Sequence, residues 1–280
     1  MTILDRTAPI RVAAIQMNPV PDDIAGNLAR ISTMVRDAAR DGAQLVVVPE
    51  TATTGYFIAN RLDRLAEPED GPTATALAAL AKECGIYLAV GMAIAADGAF
   101  YDAQLMFGPE GTLLANYRKV HLFYSEREWY AAGNEPMVVD TPLGKIGMSI
   151  CYDFIFPEFI RRLVDMGADI VINSTNWITN DFQRDVCGWT GDAVEALARI
   201  RALENGVWLV MSNCTGSEEG FDSLGHSCVV SPSGKVLSSA GSGIGIAAAE
   251  IVHESEALTT WRAIATYRAD RRHDIYGAGK

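Results

Sequence analysis

Three residues equipped for acyl-transfer chemistry each sit in or at the end of a short, largely apolar segment. They are Glu50 after Leu45-Val46-Val47-Val48-Pro49, Lys119 within Tyr117-Arg118-Lys119-Val120-His121, and Cys151 after Gly147-Met148-Ser149-Ile150. A continuous apolar run such as Leu45 to Val48 fits an interior strand, and open α/β sheets expose their ligands at the carboxyl ends of such strands. Glu50 and Cys151 are therefore expected in one cleft. A free thiol has a pKa near ~8.5 and is mostly protonated at neutral pH, so Cys151 needs a base beside it to act as a nucleophile. Glu50 at a desolvated strand end can take that proton and pass it to a leaving amine. Lys119 and the backbone N–H of Tyr152 can meet the negative charge of a tetrahedral oxyanion, where removing one preorganised donor costs roughly 2.7–4 kcal/mol of barrier. Taken singly, a strand-end Glu is ordinarily a solvated end and a lone Lys a surface charge; the combination is what points to chemistry.

The elements that must position these residues follow from periodicity. Ile24, Leu28, Ile31, Val35 and Ala38 recur at helical steps within Asp22 to Arg40, with Gly42 just beyond, and a strand follows at Leu45 to Val48. A second helix is expected over Pro72 to Cys84, then Gly85 and a strand over Ile86 to Val90. Asp102 to Phe107 reads as another strand, and Gly108-Pro109-Glu110-Gly111 as a turn. The order recurs roughly 120 residues later: Gly167 to Ile172 echoes Gly42 to Val47, a helix over Asp185 to Glu204 leads to Gly206 to Val210, and Ser231-Pro232-Ser233-Gly234 repeats the Gly108 turn. Such an internal pseudo-repeat gives two similar sheet-plus-helix layers. Packed sheet against sheet with helices outside, they make an α/β, four-layer α-β-β-α sandwich. Residues 1–252 form that body, and the polar segment 253–280 reads as an arm over the body or over a second subunit.

Composition narrows the class. At 280 residues, 49% hydrophobic and 21% charged, the chain has the balance of a globular protein with a substantial core. A net charge of −12 disfavours nucleic acid as a partner. No apolar run spans a membrane and the first eleven residues lack a signal-peptide centre, so the expected compartment is the cytoplasm, with no membrane partner. Cys84, Cys151, Cys187, Cys214 and Cys228 are odd in number and free of close pairs, which suggests reduced thiols, most of them inert core residues. The four histidines show no metal-ligand spacing, no Gly-x-Ser-x-Gly elbow occurs, and Gly241-Ser242-Gly243-Ile244-Gly245 reads as a bend before a strand rather than a dinucleotide loop.

The segments ending at Glu50, running from Tyr117 to Phe123, and following Cys151 as Tyr152-Asp153 resemble, in order and surroundings, the three motifs of the carbon–nitrogen hydrolase (nitrilase) superfamily. The likeness runs from Arg11 to about Ile251. It implies the same four-layer fold, a Glu50–Lys119–Cys151 triad, no cofactor and no metal, and homodimers or larger homo-oligomers with exchanged C-terminal arms. It further implies a second glutamate, for which Glu126 fits the family spacing and Glu128 is the alternative. By the same likeness Tyr56 and the segment Asn173 to Trp177 line the substrate site and His226 is a hydrogen-bonded scaffold residue, while Phe154 and Phe156, following Cys151, read as packing residues. Cys151-Tyr152-Asp153 is closer to the amidase and carbamoylase branch than to true nitrilases. The expected substrate is a small linear amide or N-carbamoyl compound, with a nitrile as the rival and a catalytically idle binding protein as the reading from another class. The absence of basic residues from the pocket loops hints at a neutral or cationic substrate.

Overall fold

The computed structural model describes residues 5–276 and arranges the buried runs as two six-stranded sheets with a small three-stranded one beside them. In spatial order the first sheet contains Gly245–Ile251, Ile10–Gln16, Leu45–Val47, Tyr87–Ala96, Ala99–Phe107 and Leu113–Arg118. The second contains Val236–Ser239, Cys228–Val230, Trp208–Asn213, Ile170–Thr175, Gly144–Ile150 and Met137–Thr141. The pseudo-repeat is visible in the pairing. From Ile10–Gln16 the first sheet takes two parallel steps and then two antiparallel ones, with a sixth strand added antiparallel beside the starting strand. From Gly144–Ile150 the second sheet follows the same path.

Side-chain alternation makes the layers. Val12, Ala14, Leu45 and Val47 share a core with Ile146 and Met148 of the other sheet. Their neighbours Ala13, Ile15 and Val46 pack instead against Ile31, Val35, Leu77 and Leu80 of the helices Ile24–Arg40 and Pro72–Cys84. The helices Pro157–Asp165 and Gly191–Asn205 cover the second sheet, completing an α-β-β-α sandwich. Local chemistry sets the boundaries: the Asp23 carboxylate accepts from Gly26 N–H at the start of the first helix, and Gly85, at φ +65°, ends the second in the left-handed region.

The helix expected over Asp185 to Glu204 is not continuous. A short helix, Asp181–Asp185, is followed by a loop and then by Gly191–Asn205. Gly188 adopts φ +68°, and side chains take over the bonds that a longer helix would use: Thr179 Oγ1 donates to Trp189 O at 3.0 Å and Trp189 Nε1 donates to Ile178 O at 3.0 Å. This loop matters because it walls the cavity described below.

Beyond Ile251 the chain passes the buried His253, whose Nε2 lies 2.9 Å from Leu143 O, and forms the helix Glu256–Ile264, capped by Ser255 Oγ. Arg268 donates to Val164 O and Arg271 pairs with Asp165, so the described part of the segment lies on the chain's own Pro157–Asp165 helix. Residues 277–280 of the expected arm lie outside the described residues. No helix among the described residues is long and apolar enough to cross a membrane.

Candidate active site

Strand direction brings the chemistry to one place. Leu113–Arg118 follows two antiparallel reversals after Tyr87–Ala96, which itself runs parallel to Leu45–Val47. It therefore delivers Lys119 at the same sheet edge as Glu50. In the second sheet Gly144–Ile150 and Ile170–Thr175 are parallel, so Cys151 and the Asn176-Trp177 segment leave from one edge as well. Both strand ends turn sharply: Cys151 has φ +41° and Thr51, just after Glu50, φ +44°. A non-glycine residue in the left-handed region costs about 1–3 kcal/mol and persists only where the surroundings impose it.

The surroundings of Cys151 are explicit. It opens the turn Cys151–Ile155, and the Asp153 carboxylate accepts from Ile150 N–H at 3.0 Å and from Tyr117 Oη at 2.6 Å. Its other oxygen accepts from His121 N–H at 2.9 Å and lies 2.8 Å from His121 Nδ1. One buried carboxylate thus ties the Cys151 turn to both flanks of Lys119.

Lys119 Nζ lies 2.5 Å from Glu50 Oε1, 2.9 Å from Glu126 Oε1 and 3.1 Å from Asp102 Oδ2, with all four side chains buried. Burial alone would lower Lys119, but the carboxylates of Glu126, Glu50 and Asp102 outweigh it and hold the ammonium well above its ordinary range. Glu126 also accepts from Tyr56 Oη at 2.6 Å and Phe123 N–H at 2.7 Å, and Glu50 from Asn176 N–H at 2.7 Å. Burial still raises Glu126 above the usual carboxylate value, against the pull of Lys119. Burial and the Glu50 charge push the Cys151 thiol well up, which favours the neutral S–H. Carboxyl oxygens of Glu50, Asp102 and Glu126 lie within 4.8 Å of one another, a grouping that could hold a cation; the Lys119 ammonium occupies that role.

Beside this cluster a cavity of about 290 Å³, at the small end for ligand sites, is walled by Cys151, Tyr56, Tyr152, Trp177, Ile178 and Trp189. Tyr56, in the cavity wall with Cys151, donates to Glu126 and so connects this wall to the buried Lys119 cluster. The sequence model of a family described as carbon-nitrogen hydrolase matches residues 11–261. The chain belongs to the carbon–nitrogen hydrolase family. This hydrolase is 33% identical to the omega-amidase NIT2 of Xenopus tropicalis, covering 96% of this chain and 97% of the relative, and 34% identical to a nitrilase of Pyrococcus abyssi, covering 82% and 85%. Among solved structures it resembles an amidase from Nesterenkonia sp. at TM-score 0.81 and 26% identity, covering 98% of each chain, and Saccharomyces cerevisiae Nit3 at TM-score 0.83 and 28% identity, covering 94% and 97%.

In this hydrolase Tyr56, Tyr152 and Trp177 line the cavity with Cys151, and Glu126 is buried on Lys119 while Glu128 is exposed. Asn173 is a correction. Ser174 faces the other sheet, donating to Val48 O, and strand alternation turns Asn173 to the opposite face, where its amide donates to Ser149 Oγ at 3.1 Å. Asn176, three residues on, reaches the cavity instead. His226 is a second correction: among the described residues its ring makes no hydrogen bond, packing against Gly191 with Nδ1 3.6 Å from Glu195, although its backbone N–H donates to Gly241 O. Phe154 is buried and Phe156 stacks on His121 at 3.9 Å, both packing residues. Cys214 and Cys228 are buried, whereas Cys187 is exposed on the loop lining the cavity.

Asp102, Trp189 and the tying role of Asp153 escaped the sequence reading, whereas Asn176 lies within the segment Asn173 to Trp177 expected at the site. Asp102 carried a signal, as a charged residue opening an otherwise buried strand; Trp189 carried none, because the helix expected there hid the loop. Gly91 also went unremarked. A Cβ there would lie 2.5 Å from Glu50 Cα and 2.8 Å from Thr51 N, so only glycine lets the Glu50 turn cross this strand. Gly91→Ala is expected to displace Glu50, lowering stability by about 1–3 kcal/mol and activity more severely, as urea unfolding and ammonia release will show.

Proposed function

We propose that this hydrolase is a thiol amidase that converts a small, uncharged linear amide to the acid and ammonia through a thioester on Cys151. The observation that carries the reading is the Lys119 ammonium held between Glu50 and Glu126, with Tyr56 joining Glu126 to the wall of the cavity that presents Cys151. Glu50 takes the Cys151 thiol proton as sulfur attacks the carbonyl carbon, so the resting S–H is activated only as the bond forms. Lys119 and the Tyr152 backbone N–H receive the oxyanion. Glu50 then passes its proton to the leaving nitrogen, the C–N bond breaks and ammonia departs. Water enters, gives a proton to Glu50 and attacks the thioester; collapse releases the acid and returns the proton to sulfur. Glu126, fixed by Tyr56 and Phe123, keeps Lys119 and the attacking water in place.

The uncharged acyl part follows from the walls. The cavity lining is aromatic and aliphatic with Asn176 and Gln183 as its amides, and it holds no Arg, Lys, Asp or Glu. The buried Lys119 ammonium is already taken up by the carboxyl groups of Glu50, Glu126 and Asp102. A substrate carboxylate would be buried without a partner, at several kcal/mol. A panel of butyramide, butyronitrile and succinamate tests both points, with ammonia and acid measured. Butyramide is expected to turn over, and succinamate to fall on the order of 10²-fold lower in kcat/KM. Acid from the nitrile alone would contradict an amidase, and equal rates on succinamate would contradict the uncharged acyl group. The Nesterenkonia sp. amidase has been solved with butyramide bound, which makes that amide a natural first probe.

A further inference from the structure

The ammonium of Lys119 has one carboxylate neighbour more than its place beside Glu50 and Glu126 requires. Asp102 is buried at the start of the inner part of strand Ala99–Phe107, its backbone carbonyl accepts from Lys119 N–H at 2.8 Å, and its Oδ2 lies 3.1 Å from Lys119 Nζ. Three ionised carboxylates around one ammonium would leave two negative charges out of water, and burying uncompensated charge costs several kcal/mol per ion. A proton must therefore reside in the cluster. Which group carries it follows from the donors each oxygen receives. Glu126 accepts from Lys119, Tyr56 and Phe123, and Glu50 from Lys119 and Asn176. Among the described residues neither Asp102 oxygen accepts a hydrogen bond, the contact with Lys119 being a poorly aligned ion pair.

We propose that Asp102 is the carboxyl group that stays protonated in the resting enzyme, and that it serves as a neutral positioning residue for Lys119 and Glu50. Burial pushes Asp102 well above the carboxylate range, Glu50 and Glu126 adding to that rise and Lys119 opposing it. The groups facing it are Lys119, Glu50, Glu126 and the buried Tyr130, whose unpartnered hydroxyl is raised by burial and next by the Asp102 charge. As a neutral acid Asp102 can donate to the Glu50 carboxylate while its other oxygen faces the ammonium. It fixes both without adding charge to a cluster that already holds two anions. The protonation leaves Glu50 free as the group that accepts the thiol proton, because the proton that burial forces into the site is stored next door.

This inference rests on the roles given above to Lys119 and Glu50, and its test includes a readout independent of turnover. The carbonyl stretch of a protonated carboxylic acid is expected in the infrared spectrum of the wild-type protein at neutral pH and is expected to be lost in Asp102→Asn. In kinetics, Asp102→Leu is expected to lose on the order of 10²-fold in kcat through misplacement of Lys119, with KM little altered. Asp102→Asn, which also presents a neutral donor and acceptor, is expected to recover most of that loss. A carboxylic-acid band unchanged in Asp102→Asn would overturn the proposal, as would an Asn variant no better than the Leu variant. If neither protein hydrolyses amides, the infrared result still decides where the proton sits.

Discussion

Cys151→Ala is expected to abolish ammonia release and thiol acylation, kcat falling by at least about 10⁴-fold, since removing the nucleophile of a coupled set costs nearly all of its catalysis. The fold is expected to survive. Ala keeps the Cβ and fits the same left-handed backbone position at φ +41°, and the bonds that hold the turn belong to Asp153 rather than to sulfur. The lost side chain is a small buried thiol whose removal takes away one sulfur atom, so the thermal midpoint should move by only a few degrees. Mass spectrometry after exposure to substrate separates the roles: an acyl adduct on the wild-type chain and none on the variant. An adduct or residual turnover that survives in Cys151→Ala would place the nucleophile elsewhere, with Cys187 on the cavity loop as the next thiol to test.

The parts of the architecture that were legible before any coordinates are those that local physics decides. Leu45 to Val47 and Ile170 to Ile172 are apolar on both faces, which only interior strands between two covering layers tolerate, and Gly42, Gly85 and Gly206 mark helix ends by the left-handed angles they adopt. The recurrence of those signals was enough to deduce two equivalent sheets. What was not legible depends on alternation phase and on long-range carboxylates. Asn173 and Asn176 both follow the same strand signal, and one slip of register decides which faces a cavity. Asp102 became part of the Lys119 cluster only because Ala103 pairs with Arg118 across two antiparallel strands. The loop over 186–190 was obscured by helix-forming neighbours, and only the left-handed Gly188 and the Trp189 indole bond reveal why the helix breaks.

Lys119→Met carries the second large effect, on stability and activity together. Met matches the apolar stem but removes the positive charge against which the buried carboxyl groups of Glu50, Glu126 and Asp102 are packed. Breaking a buried ion pair from one side costs about 3–5 kcal/mol, because the partners stay buried without compensation. The deficit should depend on pH with a definite sign. Asp102 and Glu126 are raised by burial even with the ammonium present, and without it their folded-state values rise further above the unfolded carboxyl value of about 4. A group with a raised folded pKa gives stability that is fully present below the unfolded value and is lost as pH rises through the folded one. Urea midpoints of Lys119→Met should therefore fall well below wild type at neutral pH and approach it as pH drops toward the carboxyl range. Activity should not return with the fold, since acid restores neutral carboxyl groups but not the cation that meets the oxyanion, and a loss of at least about 10²-fold is expected wherever the variant is folded. A variant as stable as wild type at neutral pH would mean that the buried carboxyl cluster does not depend on this ammonium.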